Sequence, residues 1–422
     1  MTQSTLVIGA GLIGLTTAQA LHARGHAVIV LERNADVGLE TSFANGGMLT
    51  PSQAGPWNEP GVFWDLLRWL GRSEAPMLLR PRAMPNYARW GLRFLRHSAR
   101  ANHRRAAIAN TALGALSLAR LQTLRSALGL HYRESSRGTL KVFRDQAGWQ
   151  HAAEQAGLLT DVGLSFEVLD RAQLVATEPA LREVAAQLVG GVLFPADESG
   201  DAHQFCERLR ERLVEQGVRF EHGVTVDRIE INHAGVQAVH TGQRRWSAQQ
   251  VVVCAAARSA ELLGAAGRHL SIRPVKGYSL SIDDAPAELL PSRPIVDEGL
   301  HAAVTPLGGE IRIAGTAEFA GWDAHIDPAR INNLWHLLEQ VTPSLAARVD
   351  RAAARPWCGF RPMAADGRPY IGALEPRGLY LNAGHGHLGW TQCVGSAELL
   401  AALMEGEPPP IDPQPYSALR RA

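Results

Sequence analysis

Short apolar runs and a glycine-rich turn alternate in the N-terminal part of the chain. Thr5 to Ile8 is a mostly apolar run that predicts a buried strand. Residues 9–14, Gly-Ala-Gly-Leu-Ile-Gly, follow it, and apolar residues then recur with helical spacing to about Arg24. A second apolar run, Ala27 to Leu31, predicts another strand, which ends at Glu32. Because strand, glycine turn, helix and strand fit within roughly thirty residues, they indicate the βαβ unit of a dinucleotide-binding fold.

Farther along the chain, helical and strand-like patterns occur in separate blocks. Apolar spacing predicts helices across 63–128 and over 201–216, and alternation predicts strands across 271–320. The Pro-rich stretch from Pro408 is predicted to be a surface extension. Short apolar strands are predicted at 139–143, 218–220, 224–229, 250–254 and 379–382.

These blocks predict an α/β protein with two intertwined domains, which suits a length of 422 residues. One is a Rossmann-like nucleotide-binding domain assembled from discontinuous segments, expected at 1–50, 190–270 and 355–422. The other is an inserted α+β domain with a mostly antiparallel sheet. It is expected to bind the substrate and to comprise 51–189 and 271–354.

Composition limits the classes of function. The chain carries 42 lysines and arginines against 41 aspartates and glutamates, so its charge does not favour nucleic acid as a partner. Its four cysteines are scattered and lack metal-ligand spacing, so neither a metal site nor a disulfide framework is expected. No apolar stretch is long enough to span a bilayer. A cytoplasmic protein is therefore expected, and Lys141 and Lys276 are the only lysines in an arginine-rich chain.

The three glycines of the N-terminal turn have separate physical roles. Gly9 permits the tight turn, Gly11 lets the backbone approach a pyrophosphate, and Gly14 lets the helix pack close to the sheet. The pyrophosphate then meets the N–H groups at the start of the helix. Glu32 is placed to accept hydrogen bonds from ribose hydroxyls, which disfavours a 2′-phosphate. The motif leaves FAD and NAD both open, and an incidental glycine-rich turn is the structural alternative.

A second polar, glycine-ended loop follows the second strand. It spans 40–47, Glu-Thr-Ser-Phe-Ala-Asn-Gly-Gly, and favours FAD because such a loop can wrap phosphates and reach a flavin ring. Together with other motifs in the same order along nearly the whole chain, it resembles the D-amino acid dehydrogenase small-subunit type within the D-amino acid oxidase superfamily. Beside the turn at 9–14, these motifs are Lys-Gly-Tyr-Ser-Leu at 276–280, Gly-Phe-Arg-Pro at 359–362, and Gly-His-Gly-His-Leu-Gly-Trp-Thr at 384–391.

The resemblance implies an FAD cofactor and a set of residues around it. Val224 is expected against the adenine and Ala255 near the ribose and phosphates, while the loop after the second strand holds the phosphates and the flavin edge. A structural turn or a core position is the alternative for each residue. The expected cofactor-binding residues are Gly9, Gly11, Leu12, Ile13, Gly14, Glu32, Arg33, Thr41, Ser42, Asn45, Gly46, Gly47, Val224, Ala255, Gly384, Gly386, Leu388, Gly389, Trp390 and Thr391.

The resemblance assigns the central chemical role to Arg361. A planar guanidinium can hold the carboxylate of an amino acid in a poorly solvated pocket through two hydrogen bonds, and the alternative is a surface arginine. Tyr278 is expected either to line the pocket or to pack in the core. Lys276 is expected either near the flavin or snorkelling at the surface. His385 is expected either to polarise the flavin ring or to act as a spacer in its loop.

One departure from the relatives bears on the substrate. Where relatives active on D-alanine carry a Tyr-Lys pair after Asp-Glu-x, this chain has Leu300 and His301. Loss of the tyrosine removes a polar group or a lid from the site. It puts D-alanine in doubt and leaves room for a bulkier or cyclic substrate such as D-proline or hydroxy-D-proline. His301 is included among the expected catalytic residues.

The resemblance implies oxidative deamination of a D-amino acid, or oxidation of an imino acid, by hydride transfer to flavin N5, with electrons passed to a quinone-type acceptor. The segment 63–105 mixes aromatic residues with arginines, which suits the inner face of the bacterial plasma membrane. The alternative is helices that pack on the substrate domain with solvated arginines outside. An oxygen-using glycine or sarcosine oxidase and the flavin subunit of a multi-protein dehydrogenase are the alternative functions.

Overall fold

The computed structural model describes residues 4–69, 72, 75–157, 159, 163–267 and 269–421. Its strands are β1 (Ser4–Ile8), β2 (Ala27–Leu31), β3 (Met48–Leu49), β4 (Met77–Leu79), β5 (Thr139–Phe143), β6 (Glu167–Asp170), β7 (Gly190–Phe194), β8 (Glu198–Ser199), β9 (Arg219–Glu221), β10 (Arg228–Asn232), β11 (Gly235–Thr241), β12 (Arg244–Ser247), β13 (Gln250–Val253), β14 (Ile272–Ile282), β15 (Ile295–Asp297), β16 (Ala302–Leu307), β17 (Glu310–Phe319), β18 (Arg355–Ala364), β19 (Tyr370–Ala373) and β20 (Leu379–Ala383). Its helices are α1 (Leu12–His22), α2 (Val62–Trp69), α3 (Met84–His97), α4 (Arg100–Leu128), α5 (Gln146–Gly157), α6 (Arg171–Thr177), α7 (Ala202–Glu215), α8 (Ser259–Leu263), α9 (Pro328–Val341), α10 (Pro343–Arg348) and α11 (Gly389–Glu405).

Within the described residues, a six-stranded sheet carries the N-terminal βαβ unit, and we call it the Rossmann sheet. Its order is β19-β20-β13-β1-β2-β9, and β1 is parallel to both β2 and β13. α1 connects β1 to β2 and packs against α11, where its Leu15 and Leu21 are fully buried. The predicted Rossmann-like α/β fold is confirmed, because the glycine turn lies at the centre of a mainly parallel sheet.

The large sheet has nine strands in the described part of the chain, in the order β18-β14-β17-β16-β15-β5-β7-β6, with β4 paired to β17. β14 is antiparallel to both β17 and β18, whereas β5 is parallel to β15. One face packs against α9, where Leu334 and Leu338 form a core with strand residues such as Leu280. Because side chains alternate along a strand, the residues between those core positions face the other side.

Three segments lie on the other side of the predicted domain boundaries. β7 starts at 190 and pairs with β5 in the large sheet, and β18 starts at 355 and pairs with β14 there. α4 packs against α11 and contributes Leu113 and Leu121 to the core of the Rossmann sheet. Alternation of apolar residues predicts that a strand exists but not which strand it pairs with, so these assignments needed the structure.

Two local predictions are wrong. The strand predicted at 224–229 begins only at Arg228. The Pro-rich tail is not a loose surface extension, because Tyr416 is buried and its hydroxyl donates to a carbonyl of α4 at 2.6 Å. Farther along the tail, Arg420 donates to both carboxylate oxygens of Asp366 at 2.8 and 3.1 Å. A run of prolines indicates an extended backbone, but it does not predict whether the side chains beside it are buried.

The aromatic and arginine-rich segment 63–105 has a buried part and an exposed part. Trp90 and Phe94 of α3 are buried and stack with ring centroids 4.9 Å apart, so this helix packs onto the protein. On α2, by contrast, Trp64 is 68% exposed and Leu67 is 50% exposed. None of the helices described is both long and apolar enough to cross a membrane. The packing alternative therefore holds for α3, while α2 presents apolar side chains to its surroundings.

Candidate active site

The glycine turn between β1 and α1 has the close backbone packing that its motif predicts. Gly9 adopts a φ of +104°, and a Cβ built on it would lie 2.7 Å from Cys254 O. A Cβ on Gly14 would lie 2.8 Å from the carbonyl carbon of Gly9 and closer still to its oxygen. A side chain is therefore excluded at Gly9 and at Gly14. Gly11 precedes α1 and brings no capping side chain to the helix, so the N–H groups of the first turn suit a pyrophosphate.

Glu32 holds the same turn from the end of β2. Its Oε2 accepts the N–H of Ala10 at 2.7 Å, and its Oε1 accepts the N–H of Asn34 at 2.8 Å. The carboxylate thus lies directly beside the glycine turn, where a ribose is expected. Arg33 points elsewhere and forms a surface ion pair with Glu40. Its predicted contact with the cofactor therefore has no support from the geometry.

Other predicted cofactor residues gather around this turn. The N–H of Val224 donates to the carbonyl of Glu32 at 2.8 Å. Ala255 follows β13, and its Cα lies 3.7 Å from a Cβ built on the first glycine of the turn. The N–H of Leu12 donates to Ser42 Oγ at 3.2 Å. Segments that are far apart in sequence therefore meet at one place, while their contacts with a cofactor stay a prediction.

The loop 41–47 joins the glycine turn to the large sheet. Thr41 Oγ1 donates at 2.8 Å to the carbonyl of the residue just before Arg361 in β18. Ser279 Oγ of β14 and Thr305 Oγ1 of β16 donate to carbonyls of the loop at 2.6 and 2.8 Å. The loop therefore lies along one face of the large sheet, which we call the loop face, and brings it next to the start of α1.

Arg361 lies on the loop face. It is paired with Val275, and its guanidinium extends over Gly277 in the neighbouring strand β14. A Cβ on Gly277 would lie 2.5 Å from Nη2 and closer still to Cζ and Nη1. Nη1 donates to Thr316 O at 3.0 Å. Desolvation by the surrounding protein lowers the pKa of Arg361 to about 10, although the side chain keeps partial exposure to solvent. The guanidinium is therefore still a cation at neutral pH and suits a carboxylate.

Trp57, which the sequence pattern did not single out, and His387, from the motif at 384–391, flank Arg361. The ring of Trp57 lies 5.1 Å from the guanidinium carbon. Trp57 also stacks on His387, with ring centroids 5.0 Å apart and planes 17° apart. Desolvation, with a smaller contribution from the positive charge of Arg361, lowers the pKa of His387 to about 3, so its imidazole is neutral. The only sequence signal for Trp57 was a tryptophan between Pro56 and Pro60, which is too weak to predict a site.

Tyr278 and Lys276 lie on the opposite face of the large sheet from Arg361. Tyr278 is buried in the core beneath α9, and its hydroxyl donates to Glu318 Oε2 at 2.5 Å. Lys276 is also buried, and its Nζ donates to His325 O at 3.0 Å. For Tyr278 the core alternative therefore holds, whereas Lys276 lies neither in a pocket with Arg361 nor at the surface. Successive residues of a strand face opposite sides, so it is the glycine between them that faces the loop.

His301 lies in the turn between β15 and β16. It is exposed, adopts a φ of +50°, and meets the ring of Trp69 edge-on at 5.9 Å. Its electrostatic neighbours are Glu59 and Glu298 rather than Arg361. The structure thus places His301 beside two carboxylates and not beside Arg361, so its predicted catalytic role has no support from the geometry.

His385 is buried, and within the described residues neither of its ring nitrogens has a hydrogen-bond partner. It lines a small cavity together with Met363, Gly384 and Leu388. Burial lowers the pKa of His385 to about 3, so the ring is neutral. Buried polar atoms without a partner are uncommon in folded proteins, and they indicate a place where a bound group or a water completes the hydrogen bonding.

The side chains of Trp390 and Thr391 support the packing of α11. Trp390 Nε1 donates to Gly200 O at 3.3 Å, and its ring packs on Phe205 with centroids 4.8 Å apart. Thr391 Oγ1 accepts the N–H of Thr50 at 3.0 Å. A cofactor contact from this stretch would therefore come from the backbone at the start of the helix. The expectation that Trp390 and Thr391 contact the cofactor stays a prediction.

Comparison with known proteins assigns the family. The model of the FAD dependent oxidoreductase family matches residues 4–403. The chain belongs to this family. It is 37% identical over 407 residues to D-amino acid dehydrogenase 1 of Mesorhizobium japonicum. The alignment covers 96% of this chain and 97% of that protein. It is 40% identical over 409 residues to the D-amino acid dehydrogenase of Dechloromonas aromatica, again covering 96% and 97%. The predicted resemblance and the oxidoreductase class are thereby confirmed.

Solved structures share the fold of this FAD-dependent oxidoreductase. Glycine oxidase from Geobacillus kaustophilus matches with a TM-score of 0.77 and 23% identity, covering 100% of both chains. L-proline dehydrogenase from P. horikoshii matches with a TM-score of 0.78 and 16% identity, covering 99% of this chain and 97% of that one. At these identities the likeness establishes the fold alone.

The residues of the site fit the FAD that the family uses. The backbone of the glycine turn packs closely at Gly9 and Gly14, and Gly11, which has no side chain, precedes α1 where a pyrophosphate would approach. In the loop, Asn45 Oδ1 accepts the N–H of Gly47 at 3.0 Å and supports a φ of +68° at Gly47. On the other side of the site, His385 offers ring nitrogens that lack protein partners among the described residues. The dinucleotide would thus be held by the Rossmann sheet, and its flavin would lie toward the loop face of the large sheet.

Proposed function

We propose that this FAD-dependent oxidoreductase is a D-amino acid dehydrogenase that oxidises the Cα–N bond of a D-amino acid or of a cyclic D-imino acid. One observation carries the proposal: the guanidinium of Arg361 extends over Gly277 on the sheet face that the cofactor loop 41–47 covers. It is supported by relatives named D-amino acid dehydrogenase that are 37% and 40% identical over nearly the whole chain.

In this proposal Arg361 binds the substrate carboxylate and fixes the orientation of the α carbon. Thr316 O accepts from Nη1, which restricts rotation of the guanidinium. His385 and His387 are neutral because burial lowers the pKa of each to about 3, so neither competes with Arg361 as a cation. Trp57 covers the guanidinium from one side and reduces its contact with water. The carboxylate therefore meets one well-placed cation in a poorly hydrated space.

The chemistry of the step needs little more from the protein than orientation and exclusion of water. Bound FAD supplies the acceptor, at flavin N5, for the hydride that leaves the α carbon of the substrate. A neutral amine supports this transfer and loses one proton from nitrogen as the imine forms. The imine then hydrolyses to a 2-oxo acid and ammonia, or remains a cyclic imine when the substrate is a proline.

The proposal includes a quinone-type electron acceptor reached at an anionic membrane surface. α2 exposes Phe63, Trp64 and Leu67 by 45%, 68% and 50%, next to the exposed Arg68. On α3, Leu92 is 72% exposed. Aromatic and aliphatic side chains beside arginine suit the boundary between lipid headgroups and acyl chains.

The substrate chemistry is tested by anaerobic reduction of the purified holoenzyme. Its visible spectrum is recorded first, and D-amino acids, D-proline, glycine and N-methyl amines are then added one at a time. Bleaching of the flavin by D-substrates, with turnover when a quinone-like dye is present, is the expected result. Reduction confined to glycine or N-methyl amines, with rapid reoxidation by air, would overturn the proposal in favour of an oxidase.

The membrane contact is tested by sedimentation with phosphatidylglycerol vesicles and with phosphatidylcholine vesicles. The wild type is expected to sediment with the anionic vesicles, and Trp64→Ser combined with Leu67→Ser is expected to remain in the supernatant. Val214→Ser is the control, because Val214 is 49% exposed on α7 and carries no role in this proposal. Equal sedimentation of all variants would refute the contact through α2.

A further inference from the structure

The pairing between β14 and β17 is interrupted beside Arg361. On both sides of the interruption the two strands are paired, but the one residue of β14 within it, Gly277, faces two residues of β17, Thr316 and Ala317. This arrangement is a β-bulge, which re-aims the backbone of the strand that carries the extra residue. Because the guanidinium of Arg361 extends over Gly277, the bulge lies directly beside it.

Thr316 occupies the bulge in a conformation that its side chain disfavours. It adopts a φ of +59°, and it is the only β-branched residue with a positive φ in the described part of the chain. The residue before it is paired with β16 and the residue after it with β4, so in the described ladders Thr316 has no strand partner. Its carbonyl instead accepts from Nη1 of Arg361 at 3.0 Å. Such a conformation persists only where the surrounding structure enforces it.

A buried ionic cluster on the opposite face of the large sheet holds the strand just after the bulge. Glu318 is fully buried, and its carboxylate accepts from the hydroxyl of Tyr278 and from Nε of Arg80, each at 2.5 Å. Nζ of Lys276 lies 3.6 Å from the same carboxylate. Desolvation, followed by the hydrogen bond to Glu318, raises the pKa of Tyr278 well above its ordinary value, so the phenol keeps its proton and donates. We call these four residues the Glu318 clamp.

Arg330 of α9 holds the residue between Thr316 and the clamp. Its side chain is fully buried, and Nη2 donates to the carbonyl of Ala317 at 3.4 Å while Nη1 donates to Ala75 O at 2.7 Å. The N–H of Ala317 donates to Pro76 O at 2.7 Å. Both residues that follow Thr316 are therefore fixed, and the bulge cannot shift along the ladder without breaking these contacts.

We infer that Lys276 and Tyr278 are positioning residues, which act through the sheet to orient the guanidinium of Arg361. They hold Glu318, and Glu318 fixes the bulge in which Thr316 keeps its left-handed conformation. The inference rests on the proposed function, in which Arg361 binds the substrate carboxylate. It gives a role to two residues of the motif at 276–280 that lie on the face of the sheet remote from the substrate.

The backbone of Thr316, and not its hydroxyl, carries the effect. Oγ1 is buried and has no hydrogen-bond partner among the described residues. Without the clamp, Thr316 would relax toward the extended backbone that a β-branched residue prefers, and its carbonyl would turn away from Arg361. Glycine has no Cβ and adopts a positive φ readily. Glycine at position 316 is therefore expected to keep the bulge in place even when the clamp is weakened.

The test measures binding of cyclopentanecarboxylate, a carboxylate without an amine, to the holoenzyme through the change in its flavin spectrum. Tyr278→Phe is expected to raise the Kd by about 10-fold, since it removes a hydrogen bond to a buried charge, and Lys276→Met is expected to act in the same direction. Thr316→Gly alone is expected to stay within about threefold of the wild type. Combined with Tyr278→Phe, it is expected to restore the Kd to within about threefold of the wild type. The limiting rate of flavin reduction by the best D-substrate is expected to follow the same order.

Tyr132→Phe is the matched control. Tyr132 is also fully buried, and its hydroxyl also contacts an ion-paired group, because it accepts from Arg125 at 3.1 Å. It belongs to the core of the Rossmann sheet and not to that of the large sheet. This variant is expected to lower the Tm without a change in Kd. Thr316→Val removes the hydroxyl but keeps the branched side chain, and it is expected to bind the carboxylate as the wild type does.

The outcomes separate this inference from the proposed function. A wild-type Kd in both Tyr278→Phe and Lys276→Met, or no recovery in the double variant, would overturn the inference and leave the dehydrogenase proposal intact. A loss in Thr316→Val as large as that in Tyr278→Phe would assign the effect to the hydroxyl and would also overturn it. Failure of every D-amino and D-imino acid to reduce the wild-type flavin would instead overturn the proposed function itself. FAD content and Tm of each variant distinguish loss of positioning from loss of folding.

Discussion

Replacement of Gly277 by alanine is expected to displace Arg361 without unfolding the protein. The new Cβ would lie 2.5 Å from Nη2 of Arg361, whereas ordinary contacts begin at 3.4 Å, so that atom must move by about 0.9 Å and the nearer guanidinium atoms by more. The neighbour is the end of a long side chain, which can move without disturbing the ladder. A misplacement of about 1 Å in a positioned group lowers the rate by about 100-fold, or about 2.7 kcal/mol in activation free energy.

The assay is stopped-flow reduction of the flavin by the best D-substrate under anaerobic conditions. Gly277→Ala is expected to raise the apparent Kd and to lower the limiting reduction rate, because both depend on where the carboxylate is held. Gly359→Ala is the matched control. It lies directly across the ladder from Gly277, and its Cβ would crowd Trp357, with Cζ2 at 2.5 Å, rather than the guanidinium.

Two results would refute the reasoning. If Gly277→Ala reduced its flavin at the wild-type rate with unchanged Kd, Arg361 could not be the group that positions the substrate. If Gly359→Ala lost as much activity as Gly277→Ala while both bound FAD normally, strain in the ladder would explain the loss without any role for Arg361.

Three further variants test the cofactor site and the stability of the fold. Gly14→Ala is expected to purify with little FAD, because its Cβ would lie 2.8 Å from the carbonyl carbon of Gly9, and the ratio of absorbance at the flavin band to that of the protein measures the loss. Asp197→Asn is expected to change the pH dependence of unfolding. Burial raises the pKa of Asp197 from 3.8 to about 6, so the native state binds more protons than the unfolded chain in that window and the wild type loses stability as the pH rises through it. The variant lacks this component, about 3 kcal/mol in the free energy of unfolding, and an identical pH slope in both proteins would contradict the assignment. Arg420→Ala is expected to lower the free energy of unfolding at pH 7 by about 3–5 kcal/mol in a urea titration, since it leaves the buried carboxylate of Asp366 with a weaker set of partners.

Local features of the fold could be predicted from the sequence because their causes are local. The strand, glycine turn, helix and second strand at the N-terminus follow from apolar spacing and from the steric needs of Gly9 and Gly14. Sheet membership of β7 and β18 could not be predicted, because pairing depends on segments distant along the chain. Burial of the tail could not be predicted either, because it depends on the packing of Tyr416 against α4, which is distant along the chain.

The candidate site likewise has some features that the sequence predicts and others that only the structure reveals. Arg361 could be predicted from a motif, but the motif that contains Lys276, Gly277 and Tyr278 does not state which side of the sheet each residue faces. The structure turns the glycine toward Arg361 and buries the two larger side chains on the other face. Trp57 reaches Arg361 from a loop that is distant in the sequence, and no spacing in the sequence indicates this contact.

The turn formed by Asp366 and Gly367 connects the C-terminal tail with the loop that carries Trp57. On one side Asp366 is clamped by Arg420 from the tail. On the other side, a Cβ on Gly367 would lie 3.2 Å from Pro56 Cγ and closer still to Cβ, directly before Trp57. Truncation of the tail, or fusion of another domain close to it, would therefore disturb the packing behind Trp57, whose ring lies beside the guanidinium of Arg361. An affinity tag placed there is therefore expected to change the kinetics of the enzyme.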